Sequence, residues 1–204
     1  MFPIQLLPHI LSLLPLAWLI FAIFNQMLGA DPQEKLMSDL GFWGMTILFV
    51  SLSMRPFSIL SRYLSAFRRI SWLKFRRPFG LYSAFYLFIH FICYLLFILQ
   101  FDWGELTNEI IERPYITVGF IGLIGMIPLV LTSTKSMQRI MGRKWQKLHK
   151  LVFIIMGLSL IHFIWQSKSD LNLATGYVIW ALALVLIRLA NSKIIKSAEG
   201  TFRT

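Results

Sequence analysis

Apolar residues dominate the chain in six long runs, at 6–28, 40–57, 78–100, 115–133, 148–165 and 174–189, separated by short polar stretches. A helix needs about 20 mostly apolar residues to cross a bilayer, and the runs meet or approach that length. None shows the strict alternation of a half-buried strand. Gly29, Asp31 and Pro32 stop the first run. Pro78 and Pro114 stand near the starts of the third and fourth, where a missing N–H costs nothing. Pro8, Pro15 and Pro128 fall inside runs, so neighbouring helices must satisfy the carbonyls they free. The pattern predicts an all-α membrane protein: a six-transmembrane-helix bundle forming a single domain over residues 1–204, with no soluble domain. The opening segment lacks a basic n-region and a small-residue cleavage site, so it reads as a retained first span rather than a signal peptide.

Charge orients the bundle. Lys and Arg concentrate in the short loops on the cytoplasmic side of a membrane. Residues 61–77 hold Arg62, Arg68, Arg69, Lys74, Arg76 and Arg77, and residues 135–150 hold Lys135, Arg139, Arg143, Lys144, Lys147 and Lys150. The tail adds Arg188, Lys193, Lys196 and Arg203, and Arg55 closes the second run on the same side. The opposite loops carry Lys35, Arg113 and Lys168 against the acids Asp31, Glu34, Asp39, Asp102, Glu105, Glu109, Glu112 and Asp170. Both termini are therefore expected in the cytoplasm. Topology and anionic lipid account for the net charge of +11, so no nucleic-acid partner is implied.

Only 14% of residues are charged and 57% are hydrophobic, so the chemistry must lie in or at the membrane. The single cysteine, Cys93, excludes a disulfide or a cysteine-based metal cluster within one chain. No Asp or Glu lies deep in a run, which weakens an ion-coupled transporter. What remains are four histidines: His9, His90, His149 and His162. Intramembrane ionisable residues are costly and usually functional, and neutral imidazole is an axial ligand of haem iron. At about 1.5 Å per residue, His90 lies about 18 Å into the third run and His162 about 21 Å into the fifth, both counted from the cytoplasmic side. They reach one level in the outer half and are expected to share one haem. His149 lies about 20 Å below His162, and His9 is the other histidine at its depth, a candidate partner for an inner haem. On one ideal helix His149 and His162 would stand about 140° apart, unless a bend near Gly157 relieved the angle. The tryptophans read mostly as interfacial belt residues, although Trp145 and Trp165 could flank a flat cofactor.

The segments HILSLLPLAWL (9–19), GADP (29–32), RRPFGLYSAFYLFIHFICY (76–94), ERPYITVG (112–119), LTSTKSMQRIMGRKWQKLHKLVF (131–153) and IHFIW (161–165) form a specific set. Through them the chain, from about residue 9 to 188, resembles the haem-binding membrane subunit of the bacterial periplasmic protein-methionine-sulfoxide reductase system, the MsrQ/YedZ family within the wider ferric-reductase-like transmembrane group. The resemblance implies an inner-membrane subunit carrying haem b, one or two per chain, and FMN. It implies electrons taken from the respiratory quinone pool or a flavin reductase. It implies delivery to a periplasmic molybdopterin-containing catalytic subunit that repairs oxidised methionines. The family's ligand histidines fall on His90, His149 and His162. The wider group's third span has two histidines. Here Arg77 stands 13 residues before His90, so a conventional second haem needs another ligand, such as His9.

Ferric reductases and NADPH oxidases append a flavin and nicotinamide domain after the last span, which is absent here, so a separate donor and a separate terminal reductase are expected. Arg76, Arg77, Arg143, Lys144 and Trp145 are the expected cofactor side, holding an FMN phosphate or quinone headgroup. The acidic segment 102–112 would dock the partner outside. The rival readings are a stand-alone b-type ferric or quinone reductase, and a non-redox small transporter or assembly factor.

Overall fold

The computed structural model describes residues 4–61, 70–166 and 171–201, with side chains at 171 and 191–201 left aside. Arg62, Arg68, Arg69, Lys168, Asp170 and Arg203, and the side chains of Lys193 and Lys196, lie outside the described residues. Among those described, every regular element is helical: α1 (Leu7–Phe24), α2 (Pro32–Leu60), α3 (Arg76–Cys93), α4 (Trp103–Glu112), α5 (Pro114–Leu131), α6 (Lys135–Met141), α7 (Arg143–Leu148), α8 (Leu151–Gln166) and α9 (Leu171–Thr201). Short 3₁₀ turns open α1 and α3, and a π-helical turn, Tyr94–Ile98, extends α3.

Six segments are long and apolar enough to span a membrane: Ile4–Phe24, Pro32–Leu60, Trp72–Ile98, Pro114–Leu131, Arg143–Gln166 and Asn172–Ala190. The protein is a multi-pass membrane protein. Several helix ends depart from the apolar runs, and two of these departures have clear local reasons. α2 starts eight residues before residue 40, because Pro32 sits in its first turn and the Asp31 side chain accepts the Glu34 N–H at 3.0 Å. That cap carries the polar residues 33–35 into the helix. α1 ends at Phe24, short of residue 28, where Asn25 Nδ2 donates to the Phe21 carbonyl and Gln26 takes a positive φ of 53°. Pro8 lies in the first turn of α1, so Pro15, Pro56 and Pro128 are the interior prolines.

The closest pairings are α2 with α3 and α5 with α8; α1 lies on α3, and α9 covers α8 and α2. One core joins α2, α3, α5, α8 and α9 around Phe49, Ala84, Met126, Ile155 and Tyr177. A second joins α1, α2 and α3 around Leu19, Leu40, Phe79 and Tyr86. Lipid offers no hydrophobic drive for helix association, so small residues and interhelical hydrogen bonds do the joining. Ser83 Oγ donates to the Gly44 carbonyl at 2.8 Å, Tyr86 Oη to the Ser12 carbonyl at 2.7 Å, and Trp180 Nε1 to Ser53 Oγ at 2.9 Å. The outward side chains, such as Phe24, Ile154 and Leu186, are apolar, as a lipid-facing surface requires.

α4 is a short amphipathic helix at one end of the bundle, capped by Asp102, whose carboxylate accepts the Gly104 and Glu105 N–H groups. It buries Leu106 and Glu109 and exposes Trp103 and Ile111.

Candidate functional site

His90 on α3 and His162 on α8 meet in the interior, with ring centres 6.3 Å apart and ring planes at 78°. Each ring is fixed in the same way. His90 Nδ1 donates to the Met37 carbonyl of α2 at 2.8 Å, and His162 Nδ1 to the Tyr115 carbonyl of α5 at 2.7 Å. Four residues beyond each carbonyl stands a glycine. A Cβ on Gly41 would lie 3.0 Å from His90 Nδ1, and one on Gly119 2.7 Å from His162 Nδ1. The glycines are what let each imidazole reach the neighbouring backbone. Pinning Nδ1–H to a carbonyl fixes the tautomer and leaves Nε2 with the lone pair a metal needs.

This arrangement can be tested against a metal group. A bare transition-metal ion is usually held by three or four protein ligands. Among the described residues no group of three His, Cys, Asp or Glu side chains is placed to do so. Two neighbouring imidazoles instead suit a metal whose other positions a macrocycle already fills. Ring centres 6.3 Å apart are close enough for both imidazoles to reach one metal atom.

His149 lies elsewhere. α7 ends at Leu148, α8 begins at Leu151, and His149 occupies the turn between them. The 140° separation assumed an unbroken helix, so it does not apply, and no bend at Gly157 is needed. Trp145 stacks on the His149 ring at 3.9 Å and 25°, and its Nε1 donates to the Thr132 carbonyl at the end of α5 at 2.9 Å. Its indole thus packs against the histidine itself. His149 Nδ1 bonds the Trp145 carbonyl at 3.2 Å, and Nε2 is buried without a hydrogen-bond partner. The Leu129 carbonyl acts on the ring electrostatically without completing a bond to that atom. An orphaned buried imidazole nitrogen is the donor an inner-side cofactor would take up.

His9 pairs with Tyr82 of α3, Nδ1 to Oη at 3.1 Å with the rings edge to face, and makes no ring contact with His149. Arg76 is partly buried near His149, while Arg77, Arg143 and Lys144 are exposed. Sequence reasoning overlooked Met37, Gly41, Tyr115 and Gly119, although Tyr115 and Gly119 lie within the ERPYITVG segment. It also overlooked a polar chain running outward from His162. The Tyr115 ring lies 6.3 Å from the His162 ring, Arg113 donates to Tyr115 Oη at 3.4 Å and pairs with Glu109 at 2.9 Å, and Tyr94 Oη donates to Glu109 at 3.0 Å. Of the acids in 102–112, Asp102 is therefore spent on capping and Glu109 on this chain. Glu105 and Glu112 stay exposed.

The family described as ferric reductase like transmembrane component matches residues 38–160, a span that includes His90 and His149 and ends two residues before His162. The protein-methionine-sulfoxide reductase heme-binding subunit MsrQ of Polaromonas naphthalenivorans (strain CJ2) is 36% identical over 176 residues, covering 86% of this chain and 78% of that protein. The chain belongs to the ferric reductase like transmembrane family and, within it, to the MsrQ family.

Proposed function

We propose that this protein is the haem b membrane electron-transfer subunit of a bacterial protein-methionine-sulfoxide reductase system. The reading rests on one observation: two buried imidazoles 6.3 Å apart, each with Nδ1 held by a backbone carbonyl across a glycine. The family and the haem-binding relative support it.

His90 and His162 would hold the haem iron in the outer half of the bilayer, and His149 would be the ligand on the inner side. Bound there, haem supplies reversible one-electron chemistry. The protein's own residues do the rest. The Met37 and Tyr115 carbonyls orient the imidazoles and raise their basicity. The surrounding apolar helices exclude water. Arg77, Arg143 and Lys144 lie on the rim where a quinol or a flavin donor, FMN included, would arrive. Exposed Glu105 and Glu112 face the other side, where a periplasmic molybdopterin-containing catalytic subunit would dock through a basic patch. The Lys and Arg distribution supports cytoplasmic termini and an inner-membrane location.

The test is a reduced-minus-oxidised spectrum of the purified chain. A b-type α-band is expected, lost in His90→Ala and in His162→Ala. Absence of the band from the wild type, or full haem in either variant, would overturn the reading. Deletion of the gene should abolish partner-dependent methionine sulfoxide reduction, which a stand-alone ferric reductase would leave intact.

A further inference from the structure

The two histidine supports differ in how firmly their carbonyls are held. Met37 lies inside α2, with a full turn of helix before it and several after it, so its carbonyl is fixed from both sides. Tyr115 is the second residue of α5, directly behind Pro114, where helix ends fray. One residue, Arg113, separates α5 from α4 and serves as the C-cap of the one and the N-cap of the other. Arg113 is tied back to Glu109 twice: its N–H donates to the Glu109 carbonyl at 3.0 Å, and its Nη2 pairs with Glu109 Oε1 at 2.9 Å. Its Nη1 donates to Tyr115 Oη at 3.4 Å. The Thr117 hydroxyl donates to the Ile110 carbonyl, a further stitch between the two helices. Glu109 is 8% exposed and accepts at 3.0 Å from Tyr94 Oη, one turn past His90 on the π-helical extension of α3.

Burying one member of an ion pair contributes little net stability, and the best-attested use of such a pair is to fix one geometry. The geometry fixed here is the bend between α4 and α5. Two residues past that bend stands the carbonyl that accepts from His162 Nδ1 at 2.7 Å. We propose that Glu109 and Arg113 are positioning residues for His162: their pair clamps the first turn of α5 to α4 and α3, and so keeps the Tyr115 carbonyl on the ring. His90 needs no such clamp, because its carbonyl lies within a long helix. The proposal deepens the haem-subunit reading and rests on it for what His162 binds, not for how the ring is held. Sequence reasoning counted both residues only among the loop charges.

The experiment uses the full chain, purified without haem and labelled with ¹⁵N-histidine, its ring signals assigned from His90→Ala and His162→Ala. Ring ¹⁵N shifts report which nitrogen carries the proton. In the wild type both rings should show a single Nδ1–H tautomer. In Glu109→Ala the His162 signals should move or broaden towards the average of two tautomers, while those of His90 stay. Glu109→Gln, whose amide oxygen can still accept from Arg113, should restore the wild-type His162 signals. Thr107→Ala, at an exposed position of α4, should not disturb them. Should Glu109→Ala fail to fold by circular dichroism, Arg113→Gln, whose side chain is 52% exposed, takes its place. In the haem-loaded chain the clamp variant should raise the midpoint potential of the haem on His90 and His162 by about 59 mV, the one-electron equivalent of a tenfold loss of ferric over ferrous affinity. The sign follows because an imidazole that loses its Nδ1 bond is a less basic ligand and favours the ferric state less. Unmoved His162 signals, His90 signals that move as much, no recovery in Glu109→Gln, or an unchanged potential overturns the proposal. A wild type with no b-type band ends the functional reading, and the ¹⁵N signals of the haem-free chain then decide the clamp by themselves.

Discussion

Replacing Gly119 by alanine adds one carbon to the structure at a place where its cost is well defined. The new Cβ would lie 2.7 Å from His162 Nδ1 and 2.9 Å from its Cε1. Ordinary contact begins at 3.4 Å, so the ring must retreat by about 0.7 Å. The hydrogen bond that orients it, 2.7 Å to the Tyr115 carbonyl, runs to the same helix that carries the new methyl. It cannot be kept while the ring moves away. Loss of such an outer-sphere partner typically lowers metal affinity 10–100-fold, about 1.4–2.7 kcal/mol. The backbone effect has the opposite sign: alanine favours a helix over glycine by about 0.5–1 kcal/mol. The variant should therefore insert and fold at least as well as the wild type and yet bind haem weakly. The assay is haem titration into apo-protein in detergent, followed by the difference spectrum, with helicity from far-ultraviolet circular dichroism. Gly157→Ala, in α8 with open space around its Cβ, is the control and should bind normally. Wild-type haem affinity in Gly119→Ala would show that the glycine does not set the position of His162.

Gly41→Ala, with its closest approach at 3.0 Å, should lower haem affinity less than Gly119→Ala, as measured in the same titration. Trp145→Phe should keep the stack on His149 but lose the bond to the Thr132 carbonyl, lowering thermal stability by about 1 kcal/mol; an unchanged melting curve would contradict it. Tyr86→Phe, removing a fully buried residue's bond to the Ser12 carbonyl, should cost about 1 kcal/mol in the same assay. Glu109→Ala should strand the Tyr94 hydroxyl and cost about 1–2 kcal/mol, and Glu109→Gln should restore most of that loss because its amide oxygen can still accept.

The six spans were legible because hydropathy over about 20 residues is nearly a direct readout of the bilayer's demand for internal hydrogen bonding. Helix ends were less so. The start of α2 was set by the Asp31 cap and Pro32, a short-range signal that the apolar window overlooks. The common depth of His90 and His162 followed from counting residues, since helix rise is fixed. Their support did not, because a backbone carbonyl leaves no mark in the side-chain pattern and a packing glycine resembles any other. The angle between His149 and His162 was misjudged because the break after Leu148 carries no proline or run of glycines.

The histidine support occurs twice, once in the hairpin α2–α3 and once in the hairpin α5–α8, with a carbonyl, a glycine four residues on and an imidazole from the returning helix. A flat ligand held between the hairpins, as proposed for haem, would meet the same donor on both of its faces. Turned over, it would find these two contacts unchanged. Porphyrins with unequal edges would then have two seatings of nearly equal energy as far as the iron is concerned. Whatever selects one over the other has to act at the rim, through the side chains that touch the unequal edges.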